Sequence, residues 1–103
     1  MTKRGEYILA LSQALVGAIY DSVRAVTIKI DNQDILVRLY LDKIPDEDDD
    51  EELSCIMAEF MSSFAHSEFE TLKWECTFST GRLNNLKDPD ETFVFLRKEA
   101  LMG

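Results

Sequence analysis

Residues 26–41 of the chain have the sequence VTIKIDNQDILVRLYL. In the first half, apolar and polar residues alternate and β-branched side chains dominate, which is typical of a half-buried strand. Asp31 to Asp34 is a turn sequence, in which Asn32 can take a positive φ. In the second half the alternation resumes, so the stretch predicts a β-hairpin. One face of the two strands is formed by Val26, Ile28, Ile30, Ile35, Val37, Leu39 and Leu41.

The second strand of this hairpin is also apolar on its other face, where Leu36 and Tyr40 flank Arg38. A strand that is apolar on both faces is usually central in its sheet, or it offers one face to a partner. Leu36 and Tyr40, together with two residues of the last strand, predict a small apolar patch on the outer face of the sheet. Two interpretations stay open: the patch is a protein-binding or dimer surface, or it is covered by the long loop or the C-terminal tail.

A helix is predicted on each side of the hairpin, from about Glu6 to Val23 and from about Asp49 to Ala65. Apolar residues recur in both segments at steps of three and four. The first stripe comprises Ile8, Leu11, Leu15, Ala18, Ile19 and Ser22. The second comprises Leu53, Ile56, Met57, Phe60 and Phe64, and it is the strongest helical pattern in the chain.

Two further strands are predicted after the second helix. Alternation from Thr71 to Ser79 indicates a half-buried strand, residues 81–91 form a loop rich in turn residues, and Thr92 to Arg97 is a last strand. The last strand is expected to place Phe93 and Phe95 on one face and Val94 and Leu96 on the other. The order helix-strand-strand-helix-strand-strand predicts one α+β domain over residues 1–103, an antiparallel four-stranded sheet with both helices packed on one face.

The acidity of the chain is concentrated in one place. Residues 42–52 hold eight acids and one base, a local charge of −7 out of a total of −9. Seven acids stand in a row after Pro45. They are Asp46, Glu47, Asp48, Asp49, Asp50, Glu51 and Glu52. Such a surface is a poor partner for nucleic acid, which binds basic surfaces, and a natural partner for a basic protein.

Chemical roles for this run can be weighed from its spacing. Asp46, Asp48 and Asp50 have the one-three-five spacing of a calcium loop, but Glu51 stands where that loop needs glycine and Met57 where it needs glutamate. Seven consecutive acids cannot all be buried, so solvated, ionised carboxylates are expected rather than a raised-pKa acid catalyst. No metal site, cofactor or catalytic residue is therefore assigned. Helix capping explains the last members of the run; Asp42 and residues 46–48 are left without an internal structural reason.

The other reactive residues do not form a site either. Cys55 and Cys76 both lie in apolar patterns, so reduced, buried thiols are expected, as in a cytosolic protein. Cys55 is about 16 Å along a helix from His66, the only histidine, which is too far for a nucleophile pair. Glu6 and the polar pair Ser12-Gln13 argue against a signal peptide. No stretch is long enough for a membrane span.

The size, the acidic run 46–52, the element order and the lack of a catalytic constellation resemble bacterial toxin-immunity proteins of the contact-dependent growth inhibition type. The resemblance covers the whole chain in character and carries no motif. It implies a cytoplasmic protein, not an enzyme, that binds a cognate toxin domain, often a basic nuclease, and blocks its active site. The residues predicted to bind the partner are the seven acids, Asp42 and, as an apolar anchor, Tyr40.

Three alternatives remain from the sequence. A secretion chaperone would form a dimer and hold an effector segment across an apolar sheet surface. A small enzyme would have its site at an oligomer interface. The acidic run would be only a solvated helix start. As an immunity protein, the chain itself is expected to be a monomer or a weak homodimer.

Overall fold

The fold is that of a computed structural model, which describes residues 3–64, 71–81 and 90–97. Two helices and four strands follow in the predicted order. They are α1 (Lys3–Leu15), β1 (Val23–Asp31), β2 (Asp34–Leu41), α2 (Glu47–Met61), β3 (Thr71–Phe78) and β4 (Glu91–Leu96). The α+β class is confirmed. Residues 82–89 of the predicted loop 81–91, the tail 98–103 and His66 lie outside the described residues.

The predicted hairpin is formed by β1 and β2, which pair antiparallel from Val23↔Leu41 to Asp31↔Asp34. Its two-residue turn has Asn32 at φ 56°, in the left-handed region that asparagine tolerates. The strand order of the sheet is β3-β2-β1-β4, so β2 is central, as its two apolar faces predict.

The sheet is mixed, and the prediction of a purely antiparallel sheet was wrong. β2 and β3 are parallel over their full length, from Asp34↔Thr71 to Leu41↔Phe78. The reason lies in α2, whose 15 residues span roughly 22 Å at 1.5 Å per residue. That length returns the chain to the starting end of β2, as in a parallel crossover.

Both helices pack on the same face of the sheet, as predicted. A single buried cluster unites Tyr7 and Leu11 of α1 with Leu53, Met57 and Phe60 of α2. The sheet contributes the inward-facing residues of the hairpin, among them Val26, Ile28, Ile35, Val37, Leu39 and Leu41.

Helix α1 ends at Leu15, eight residues before the predicted end. Gly17 has φ +78°, a left-handed conformation that glycine adopts freely and that ends a helix. The amide of Ala18 donates to the carbonyl of Leu15 at 3.0 Å across this turn. The chain then leads through Tyr20 to the start of β1, which brings Tyr20 beside the N-terminus of α2.

Strand β4 does not alternate as predicted. Val26 pairs with Phe95 and Thr27 with Phe93, so Val94 is an extra residue in β4, a β-bulge. Because of the bulge, Val94 and Phe95 both pack against the helix-side core, while Phe93 lies on the outer face with Ala25 and Tyr40. The expectation that Phe93 and Phe95 share a face was wrong.

Candidate functional site

The acidic run folds into the N-terminus of α2. Asp46 is the N-cap, in an extended conformation (φ −126°, ψ −174°), and α2 begins at Glu47, two residues before the predicted start. The Asp46 Oδ1 accepts from the Asp49 amide at 3.1 Å, and the Asp49 Oδ2 accepts from the Asp46 amide at 2.9 Å. This reciprocal capping box satisfies two of the free N–H groups at the start of the helix. Asp46 therefore has an internal structural role, contrary to the prediction from the sequence.

Asp49 is buried, at 2% exposure, so the expectation that the whole run is solvated was wrong for this residue. The Tyr20 hydroxyl donates to its Oδ1 at 2.6 Å, and the Lys43 Nζ donates to its Oδ2 at 2.5 Å. Burial alone would raise the pKa of Asp49, but the hydrogen bonds from Lys43, Tyr20 and the Asp46 amide outweigh it and lower that pKa to about 2. Burial and the bond to Asp49 raise the pKa of Tyr20 well above its ordinary value.

Two bases neutralise part of the acidic segment. Lys43 also lies 3.2 Å from the Asp46 Oδ2, and the Arg97 Nη1 lies 2.9 Å from the Asp42 Oδ2. Asp42, like Asp46, therefore has an internal partner. These pairs hold the segment between β2 and α2 in place, and they reduce the charge that Asp42, Asp46 and Asp49 present to solvent.

Four other acids of the run share the side of α2 that faces away from the core. Glu47, Asp48, Glu51 and Glu52 are all exposed, and no base among the described residues lies within ion-pair distance of any of them. Residues at i, i+1, i+4 and i+5 fall on one side of a helix. We call these four residues the acidic face. Asp50 is exposed as well and lies toward β3, where its charge acts on Cys76.

An exposed apolar residue stands just before the acidic run. Ile44 is 75% exposed and lies between Lys43, which is tied to Asp49, and Pro45. The sequence interpretation did not single it out, although an apolar residue outside any periodic segment is a signal that could have found it. Ile44 places an apolar side chain close in sequence to the acidic face.

A shallow groove of about 430 Å³ lies between the segment after α1 and the start of α2. It is lined on one side by residues of the stretch 17–22 and on the other by Lys43, Asp46, Asp48, Asp49 and Glu52. Because Lys43 already pairs with Asp46 and Asp49, Asp48 and Glu52 are the lining carboxylates that suit a basic side chain of a partner, since charge-assisted hydrogen bonds are the stronger kind.

Tyr40 belongs to a different hydrogen-bond network and is buried, at 2% exposure. Its hydroxyl donates to the Glu91 Oε2 at 2.8 Å, and Thr27 and Arg38 donate to the same carboxylate at 2.5 and 2.6 Å. Burial and the bond to Glu91 raise the pKa of Tyr40, although the bond from Arg38 opposes them. The middle of the outer face thus combines this buried polar network with the apolar side chains of Ala25, Tyr40 and Phe93, and both interpretations of the patch, an interface or a covered surface, stay predictions.

The cysteines differ from each other. Cys55 is exposed on α2, so the expectation of two buried thiols was wrong for it. Cys76 is half-buried, with its Sγ 3.8 Å from the Asp49 carbonyl oxygen. Burial, followed by the charges of Asp50 and Asp49, raises the pKa of Cys76 to about 11.

Two other kinds of site are not seen in the part of the chain that the structure describes. These residues contain no group of three or more histidine, cysteine, aspartate or glutamate side chains placed to hold a metal ion. Neither described helix has the length and apolar character needed to cross a bilayer.

A small α+β domain with a one-sided acidic helix has the character of a protein that binds another protein. The family model described as MafI2 immunity protein matches residues 4–99, and the chain belongs to that family. It is therefore an immunity protein, a class that neutralises a toxin, and the class expected from the sequence is confirmed. The assignment to contact-dependent growth inhibition stays a prediction. No curated protein sequence matches the chain.

Proposed function

We propose that this immunity protein neutralises a basic toxin domain by setting the acidic face of α2 against the positively charged surface with which the toxin holds its substrate. The observation that carries this proposal is the set of four exposed carboxylates, Glu47, Asp48, Glu51 and Glu52, for which the described residues supply no base. Capping explains Asp46 and Asp49, but it does not require these four.

A nuclease is the toxin activity that fits this surface best. An enzyme that cleaves nucleic acid has a groove that attracts phosphates, and a rigid row of carboxylates can occupy the same groove. Blocking by occupation needs no catalytic step from the immunity protein. We further propose that the toxin is delivered between neighbouring bacteria by contact, and that neutralisation takes place in the cytoplasm.

In this proposal, different residues set the association rate and the affinity of the toxin complex. Complementary charge raises the association rate, to about 10⁸–10⁹ M⁻¹s⁻¹ at low salt in strongly steered pairs. Affinity needs an apolar anchor that becomes buried in the complex. Ile44 is the exposed apolar side chain nearest in sequence to the acidic face, whereas Tyr40, the anchor expected from the sequence, is buried. Tyr40 would act indirectly, by fixing the sheet through Glu91.

The test uses the cognate toxin domain, which we expect to be encoded beside this protein, and a variant that removes the acidic face while keeping the cap. The four changes are Glu47→Gln, Asp48→Asn, Glu51→Gln and Glu52→Gln. A control removes the same charge from exposed acids elsewhere, through Glu6→Gln, Asp21→Asn, Asp31→Asn and Glu59→Gln.

Association rates are measured by stopped flow across a range of salt concentrations, and protection is measured by survival of cells that express the toxin. We expect the first variant to associate at least about tenfold more slowly at low salt and to lose most of its salt dependence. The control should change little. If both variants associated more slowly by the same factor, only the net charge of the protein would matter. If the acidic-face variant associated as fast as the original chain, the toxin would bind another surface.

A further inference from the structure

The outer edge of β3 is the longest regular strand edge that the described residues leave without a strand partner. β3 is at one end of the sheet and pairs with β2 through eight consecutive residues with no bulge. The opposite end of the sheet differs, because β4 is shorter and carries the bulge at Val94, a device that discourages pairing.

Hydrogen bonds at the two ends of β3 show which way its backbone amide and carbonyl groups point. The Thr71 amide donates to the Gln33 carbonyl and the Ser79 amide to the Leu41 carbonyl, so the odd-numbered residues point their amide and carbonyl toward β2. In a strand, alternate residues point to opposite sides. Leu72, Trp74 and Cys76 therefore point theirs outward, to the open edge.

We propose that this edge pairs with the same edge of a second copy of the chain, antiparallel about a two-fold axis at Trp74, to give a continuous eight-stranded sheet. In this register Trp74 lies opposite its own copy and Leu72 lies opposite Cys76 of the second copy. All of these are outward-pointing residues, so each pair can exchange two backbone hydrogen bonds.

Charge selects this register. It sets Lys73 of each copy opposite Glu75 of the other, on the outer face, where directly opposed side chains interact. A register centred one residue later would oppose Glu75 to Glu75, and one centred one residue earlier would oppose Lys73 to Lys73. Both charged side chains are exposed; Glu75 accepts from Arg38 at 2.9 Å and still has a side chain 46% exposed.

The apolar side chains of β3 agree with a covered edge. Trp74, the only tryptophan of the chain, is one of its exposed large apolar side chains, at 36% exposure. In the proposed dimer it would contact the Trp74 side chain of the second copy across the two-fold axis. A single strand pair buries less than a standard interface, and each chain carries a charge of −9, so the dimer is expected to be weak.

The test is sedimentation equilibrium from about 1 µM to about 1 mM, where a weak dimer forms and dissociates. Lys73→Glu sets two acids against each other in both opposed pairs, and Glu75→Lys sets two bases against each other. Each variant alone should dimerise at least about tenfold more weakly than the original chain, because like charges directly opposite are destabilising. An equimolar mixture of the two variants should restore dimerisation, since each opposed pair again joins an acid to a base. Glu59→Lys, on the exposed side of α2, is the control for the change in charge.

A second measurement fixes the register without relying on charge. In a Cys55→Ser background, which removes the exposed thiol, Trp74→Cys should form an intermolecular disulfide on mild oxidation, because opposed residues of a hydrogen-bonded pair lie about 5.5 Å apart at Cα. Phe78→Cys should not form this disulfide, because in this register residue 78 lies about eight positions from residue 78 of the second copy.

A chain that stays monomeric at all concentrations would overturn the proposal. So would cross-linking at position 78 instead of 74, or loss of toxin binding in both charge variants of a monomeric protein, which would assign the edge to the toxin.

Discussion

The hydroxyl of Tyr20 donates a 2.6 Å hydrogen bond to the carboxylate of Asp49, which lies 29 residues later in the chain. The bond joins the segment after α1 to the first turn of α2, and Lys43 completes the site from the end of β2. One member of a run of seven acids is thereby withdrawn into the fold. The result is a fixed starting point for the helix that carries the acidic face.

Asp49 should give the protein a measurable dependence of stability on pH. Its pKa is about 2 in the folded protein against 3.8 ordinarily, so its contribution is fully present above about pH 4 and is lost as the pH falls through about 2. A shift of this size corresponds to about 2 kcal/mol. We expect Asp49→Asn to be less stable by about that amount at pH 7, with the difference shrinking toward zero at about pH 2, measured by urea unfolding.

Asp48→Asn is the matched control, one residue earlier and exposed. It should change the unfolding free energy by less than about 0.5 kcal/mol. If the two variants lost stability equally, Asp49 would be acting as general helix-terminus charge and not as a buried, bonded group.

Periodicity predicted the parts of the fold that burial alone determines. The stripe from Leu53 to Phe60 and the alternation in β2 follow directly from which residues must avoid water. Asp49 belongs to the same stripe, four residues before Leu53, and the spacing of Asp46 and Asp49 is that of a capping box; both signals were in the sequence. The prediction from the sequence treated all seven acids as one solvated surface, and it therefore missed the burial of Asp49 and the capping box.

The remaining features depend on information that alternation does not carry. A half-buried strand has the same pattern whether it runs parallel or antiparallel to its neighbour, so the direction of β3 could not be read from residues 71–78. The bulge at Val94 depends on register against β1. The bond between Tyr20 and Asp49 joins distant segments, and the end of α1 at Gly17 competes with an apolar stripe that continues past it.

Replacing Gly5 and Gly17 by alanine should change the stability of the protein in opposite directions. Gly17 has φ +78°, where a Cβ is strained, so Gly17→Ala should destabilise by about 1 kcal/mol although its Cβ would meet no atom within 4 Å. Gly5 lies inside α1, also with open space around a Cβ, so Gly5→Ala should stabilise by up to about 1 kcal/mol. Thermal unfolding of the pair measures both signs, and a stabilising Gly17→Ala would contradict the helix end described above.

Glu91 should be worth far more to stability than Glu75, although both contact Arg38. The Glu91 carboxylate is buried and also accepts from Thr27 and Tyr40, while Glu75 is half exposed. Removing the buried acid leaves several buried donors without an acceptor, at a cost of about 3 kcal/mol. Glu75→Ala should cost less than about 1 kcal/mol. Urea unfolding of the two alanine variants provides the comparison, and equal losses would show that the network is not anchored at Glu91.

The two cysteines should react at very different rates. Cys55 is exposed, whereas Cys76 is half-buried with its pKa raised to about 11, so only about one part in a thousand of Cys76 is thiolate at pH 8. Iodoacetamide at pH 8 should therefore modify Cys55 at least about a hundredfold faster, as read by mass spectrometry of the intact folded protein and its peptides. Cys55→Ser should abolish the fast phase, and a fast phase that survived this change would show that Cys76 is more open than its contacts indicate.

Ile44 should control how long the toxin complex lasts, and the acidic face how fast it forms. Ile44 is 75% exposed and lies outside the core, so Ile44→Ala should leave the unfolding free energy within about 0.5 kcal/mol. In the complex, loss of a buried anchor should raise the dissociation rate by about tenfold or more with little change in association rate.

Val16→Ala, at an equally exposed apolar site after α1, is the control and should change neither rate. Surface plasmon resonance separates the two rates; an unchanged dissociation rate for Ile44→Ala would move the anchor to another exposed apolar side chain, with Trp74 and Phe78 of β3 the next to test.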